Sequence, residues 1–179
     1  MDDEKDRKTE YLLRELWILA WNASVQHAAL YTNGAWKNQR ERIDRFKRKV
    51  IDYVKEKVVP QYRAIVGEQQ HCANIRDLIN YANTIDPGLL GENGYKYGVA
   101  QKLLNLSLKY YWCLGQIKEP PHCPIDKIII DKTSCRCNWT QMLTEGEYLK
   151  VISAVRARAE GERCSIAHWE LRNYERREP

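Results

Sequence analysis

The chain has 179 residues, 29 Lys plus Arg against 24 Asp plus Glu for a formal net charge of +5, and is 44% hydrophobic and 30% charged. That length supports one domain with a real core, and that balance fits a soluble globular chain and not a disordered one. The opening MDDEKDRKTE is too charged for a secretory signal and no run approaches the ~18 apolar residues of a membrane span, so a cytoplasmic protein with unbridged thiols is expected.

In chain order, residues 1–9 are expected to fray, and a first helix is predicted over 10–31, with Thr9 as its cap and Leu12, Leu13, Leu16, Trp17, Ala20 and Ala28 as its apolar stripe. Asn33-Gly34 is its stop. A second helix over 35–59 buries Ile43, Phe46, Val50, Tyr53 and Val58, and Pro60 interrupts it because the ring lacks an amide donor and crowds the preceding turn. A short helical piece follows Pro60, and a longer helix over 68–83 carries the row Cys72, Ile75, Leu78, Ile79 and Ala82. Asp86-Pro87-Gly88 with Gly91, Gly94 and Gly98 then marks a loop or hairpin.

Beyond it, Val99, Leu103, Leu106, Tyr110 and Cys113 give a helical row, and Leu104, Leu108, Tyr111 and Trp112 make its flanks apolar too. Apart from Ser107, the polar breaks in this helix are Lys102, Asn105 and Lys109, spaced i, i+3 and i+7 along one stripe that faces either solvent or a polar cleft. Gly115 and Pro120-Pro121 end it, and the run Ile125, Ile128, Ile129 and Ile130 is either a short strand or the start of a helix. Thr144-x-x-Glu147 is a capping box for a helix through Ala159, stopped at Gly161, and Ser165 caps a last helix to Tyr174, leaving 175–179 as a frayed end. These patterns give an all-α protein, one helical domain over 10–174 with six to eight helices and room for one short strand pair.

The chemistry-bearing candidates are Lys102 and Asp126. Desolvation favours the neutral, nucleophilic form of an amine, and a carboxylate just after a proline turn sits well at the mouth of a helix. Asp126 is equally suited to be that helix's N-cap. The order of glycine-rich turn, lysine-bearing helix, Pro-x-Asp turn and apolar run over residues 97–131 resembles the helix-hairpin-helix DNA glycosylases, most nearly their divergent archaeal 8-oxoguanine branch. The resemblance implies Lys102 as the nucleophile that forms a Schiff base at the sugar, Asp126 as its acidic partner, and a flipped base between apolar or aromatic walls. It also implies double-stranded DNA as partner, contacted through Gly94, Lys96, Gly98 and Lys109, with no cofactor. Trp17, Trp21 and Trp112 are available aromatics.

Other patterns carry less. His122-Cys123, Cys135-x-Cys137 and His71-Cys72 contain metal-binding residue types, but adjacent ligands and Cys-x-Cys lack the usual two-to-four-residue spacing; buried or incidental thiols are the ordinary alternative to a structural zinc, and no ligand set is assigned. Arg40, Arg42, Arg45, Lys47, Arg48 and Lys49 form a basic run in which Arg42, Arg45 and Lys49 share a face, suited to phosphates or simply to water. His168 is expected to pack or cap. There is no Walker loop, dinucleotide fingerprint, H-E-x-x-H or G-x-S-x-G. The alternative to a DNA glycosylase/lyase is a non-catalytic helical module that binds protein or nucleic acid.

Overall fold

A computed structural model describes residues 2–32 and 39–175, so the Asn33-Gly34 stop, the start of the second helix and the last four residues lie outside the described residues. Among the described residues there are seven α-helices and no sheet, which is the all-α class the periodicities predict. They are α1 (Asp2–Val25), α2 (Arg40–Tyr53), α3 (Glu68–Ile85), α4 (Tyr97–Cys113), α5 (Lys127–Asp131), α6 (Glu145–Gly161) and α7 (Ile166–Asn173). The possible strand pair is replaced by a single antiparallel bridge between Tyr31 and Leu90. None of the described helices is long and apolar enough to cross a membrane.

α4 is the axis of the fold. Its whole first half is buried, from Tyr97 through Asn105, because α1, α3, α6 and the turn at Trp139–Gln141 all pack against it. A helix surrounded in this way must be apolar around most of its circumference, and its few polar groups must find partners inside. α1 starts at Asp2, ahead of the expected position 10, and stops at Val25, short of 31. The chain then turns through His27 (φ 61°) and Ala29 (φ 45°), left-handed conformations that side-chain-bearing residues adopt at a cost. Lys96 holds this turn: its buried ammonium donates to the Ala28 carbonyl at 2.8 Å, and burial pushes its pKa down.

α2 buries Ile43, Phe46 and Val50, as its periodicity predicts, and widens into a π-turn at Val54–Val58. A 3₁₀ segment at Val59–Arg63 follows with Pro60 in its first turn, where a missing amide donor costs little. The isoleucine run resolves as helix: Asp126 caps α5 by accepting from the Ile129 amide at 3.1 Å. The capping box at Thr144 and Glu147 is formed in full, and Ser165 caps α7 by accepting from the His168 amide.

Candidate functional site

Lys102 and Asp126 meet. One turn into α4, Lys102 points its ammonium at Asp126, and Nζ lies 2.6 Å from Oδ2, with the two residues 3% and 8% exposed. The other carboxylate oxygen takes the Ile129 amide, so Asp126 is both the cap of α5 and the partner of Lys102. The pair opens on a cavity of about 530 Å³. Trp139 and Tyr174 supply its aromatic lining, Ile128 an apolar patch, and Gln26 and His27 reach it from the strained turn after α1. A second recess of about 580 Å³ shares Ala23, Gln26 and His27 with it, so the two adjoin across that turn.

A second ion pair stands beside the first. Lys109 Nζ is 2.7 Å from Glu170 Oε2, and both ammonium groups lie over the Tyr174 ring, at 5.9 Å for Lys102 and 4.8 Å for Lys109. Burial raises the pKa of Glu170, opposed by the charges of Lys109 and Lys102. The fully buried Cys123 thiol feels the same four charges, and burial pushes it well above its ordinary range, so it is not a nucleophile at neutral pH. The stripe of Lys102, Asn105 and Lys109 therefore faces partners within the fold: a carboxylate for each lysine, and the Tyr148 hydroxyl at 3.0 Å together with Gln101 for Asn105.

The four residues expected to contact DNA are engaged internally. Lys96 is buried in its bond to Ala28, and Lys109 is tied to Glu170. Gly94 adopts φ 57°, and a side chain there would strike Asn83, whose Oδ1 accepts from the Tyr95 amide. Gly98 is a packing glycine: a Cβ would overlap the Trp139 carbonyl oxygen, and its amide already donates to Met142 O at 3.0 Å. Both glycine amides donate to backbone carbonyls, and both ammonium groups have partners within the fold. Besides Lys102, the cation at the cavity is Lys127, whose side chain is 72% exposed and, among the described residues, pairs with Asp131 one turn on.

The aromatics divide in a similar way. Trp17 packs on Tyr111, Trp21 on Phe46 and Trp112 on His168, so none of the three walls the cavity. Trp139, Tyr174, Gln26 and His27 do, and neither a repeat nor a motif marks them in the sequence. His168 packs on Trp112 as expected, its amide donates to the Ser165 cap, and Nδ1 lies 3.3 Å from Glu119.

The histidines with neighbouring cysteines belong to a buried hydrogen-bond relay. Asn105 donates to the Tyr148 oxygen (3.0 Å), which pairs with His122 Nδ1 (2.8 Å), and His122 Nε2 faces Glu68 Oε2 at 3.1 Å. Asn105 Nδ2 can only donate and the Glu68 carboxylate can only accept, so Tyr148 is assigned as donor to Nδ1 and the His122 proton to Nε2. Asn74, Tyr62 and His71 repeat the pattern, at 3.2 and 2.7 Å. Burial lowers the pKa of both histidines, and both are therefore neutral at pH 7. Among the described residues no group of three or more His, Cys, Asp or Glu side chains could hold a metal ion.

No protein-family model, curated protein or solved structure matches the chain.

Proposed function

We propose that this protein acts on an N-glycosidic bond in nucleic acid as a DNA glycosylase/lyase, with Lys102 as nucleophile and Asp126 as its acidic partner. The observation that carries this reading is the 2.6 Å contact of two buried ionisable groups at the edge of a cavity of about 530 Å³. A roomy pocket with convergent polar groups is the default place for chemistry in a fold.

The steps follow from the atoms in place. Asp126 is within hydrogen-bond reach of the Lys102 proton and can accept it, which frees the amine lone pair. The amine then bonds to the sugar C1′ as the bond from C1′ to the base breaks, and the base leaves with that electron pair and takes up a proton from water. Opening of the sugar ring converts the C1′ adduct to a Schiff base. Loss of a C2′ proton expels the 3′ phosphate, and water releases the lysine. Trp139 and Tyr174 offer flat apolar faces to an extruded base, and Lys127 offers a cation to the adjacent phosphate.

The test is sodium borohydride reduction in the presence of a duplex with an abasic site. A covalent protein–DNA adduct, lost in Lys102→Ala while the fold is retained, supports the reading. Absence of any adduct and of any duplex affinity would leave the non-catalytic helical module, in which the Lys102–Asp126 pair serves packing alone.

A further inference from the structure

Gln101 precedes Lys102 on α4 and is fully buried. Its carboxamide uses every hydrogen-bonding position it has. Nε2 donates to Ile125 O at 2.8 Å and to Gly98 O at 3.0 Å, and Oε1 accepts from the Ile125 amide at 3.1 Å and from Asn105 Nδ2 at 3.2 Å. A carboxamide has two donor hydrogens and two acceptor lone pairs, so the group is saturated and its orientation is fixed. Turning it over would face two donors toward each other at the Ile125 amide.

The pairing of Gln101 with both the N–H and the C=O of Ile125 is the two-point contact a neighbouring peptide group would make. It sets a register between helix and turn: 101 grips 125, and the next residue on each side, 102 and 126, meet as the ion pair, both couples being 24 apart in sequence. Behind Gln101, Asn105 donates to both Gln101 and Tyr148, which ties the grip to the relay through His122.

We propose that Gln101 is a positioning residue for the reaction: by clamping the Ile125 peptide it holds the Asp126 carboxylate at the Lys102 amine. The claim deepens the glycosylase reading and rests on it for its catalytic consequence. The positioning itself is a property of the free protein. Gln101 touches no substrate and acts through Asp126.

Gln101→Met keeps the side-chain length and removes all four hydrogen bonds. With the abasic duplex and borohydride, its single-turnover trapping rate should fall about 100-fold, the cost of a misplacement near 1 Å, with duplex affinity unchanged. In an Asp126→Asn background the same substitution should cost nothing further, because its effect passes through that carboxylate. A trapping rate equal to the parent's, or an equal loss in both backgrounds, overturns the proposal. Amide exchange reads the positioning without chemistry: the Ile129 amide, which Asp126 caps, should exchange at least about tenfold faster in Gln101→Met, measured against the Ile152 amide. Unchanged Ile129 exchange overturns the proposal even if the parent forms no adduct, and a parent that forms none sinks the glycosylase reading separately. If Gln101→Met fails to fold, Gln101→Glu carries the same readouts. Its carboxyl keeps the acceptor, and its acid form restores a donor to Ile125 O, so its loss should shrink as pH falls; a loss independent of pH overturns the clamp.

Discussion

Gly98→Ala separates packing from DNA contact at the position where the two meanings of a glycine compete. Gly98 does not have a left-handed φ, so alanine has no intrinsic backbone penalty there. The obstacle is space. A Cβ would overlap the Trp139 carbonyl oxygen and lie 3.0 Å from the Trp139 carbonyl carbon and 3.2 Å from Met142 Cβ. The obstruction is mostly backbone, and the same segment is bound to Gly98 through its amide and Met142 O, so it cannot swing aside as a flexible side chain would. Overpacking of this kind costs about 1–3 kcal/mol. For a chain of this size, with about 2–4 °C of melting temperature per kcal/mol, the midpoint should fall by roughly 2–12 °C. The methyl also pushes Trp139 outward from the cavity it lines, so borohydride trapping should slow along with the loss of stability. Thermal melts, borohydride trapping and duplex titrations of variant and parent read stability, trapping rate and binding separately. An unchanged melting temperature with weakened duplex binding would refute the packing account and return Gly98 to the phosphate-contacting role of a hairpin glycine.

Two further outcomes follow from the buried charges. Lys102→Met leaves the Asp126 carboxylate buried without its cation and should cost about 3–5 kcal/mol in urea unfolding, and adding Asp126→Asn should return most of that; a double variant no more stable than the single one contradicts the coupling. Burial holds His71 and His122 below their unfolded pKa of about 6.5, so the unfolded chain binds more protons as pH falls; stability should be full above pH 6.5 and decline below it, and His122→Gln should flatten the decline measured by melting temperature from pH 8 to 5. An equal slope in His122→Gln would show that His122 does not contribute.

The class, the order of the helices and the Lys102–Asp126 encounter were legible because each leaves a local trace. A helix with apolar residues nearly all round must be central, and α4 is. The capping box and the Asp126 cap are fixed by residue type and short spacing, and both form. What stayed hidden depends on contacts between distant segments. Lys96 reads as a surface cation until the left-handed turn at His27 and Ala29 brings the Ala28 carbonyl to it. Gly94 and Gly98 look alike in sequence, yet one is needed for its φ and the other for the closeness of Trp139. His71 and His122, each followed by a cysteine, resemble scattered metal ligands, whereas both are held by tyrosine hydroxyls that lie 9 and 26 residues away. The cavity wall suffers most: Trp139 and Tyr174 come from a short 3₁₀ turn and the end of α7, elements too small or too irregular to have a periodicity.

The proposed chemistry makes Lys102 a nucleophile and Asp126 its partner at the mouth of the cavity. Borohydride trapping on an abasic-site duplex, followed by peptide mapping of the reduced adduct, measures this directly. The DNA remnant should sit on Lys102, the yield should fall sharply in Asp126→Asn, and Lys109→Ala should still trap. An adduct mapped to another lysine, or none at all from a folded protein, would contradict it.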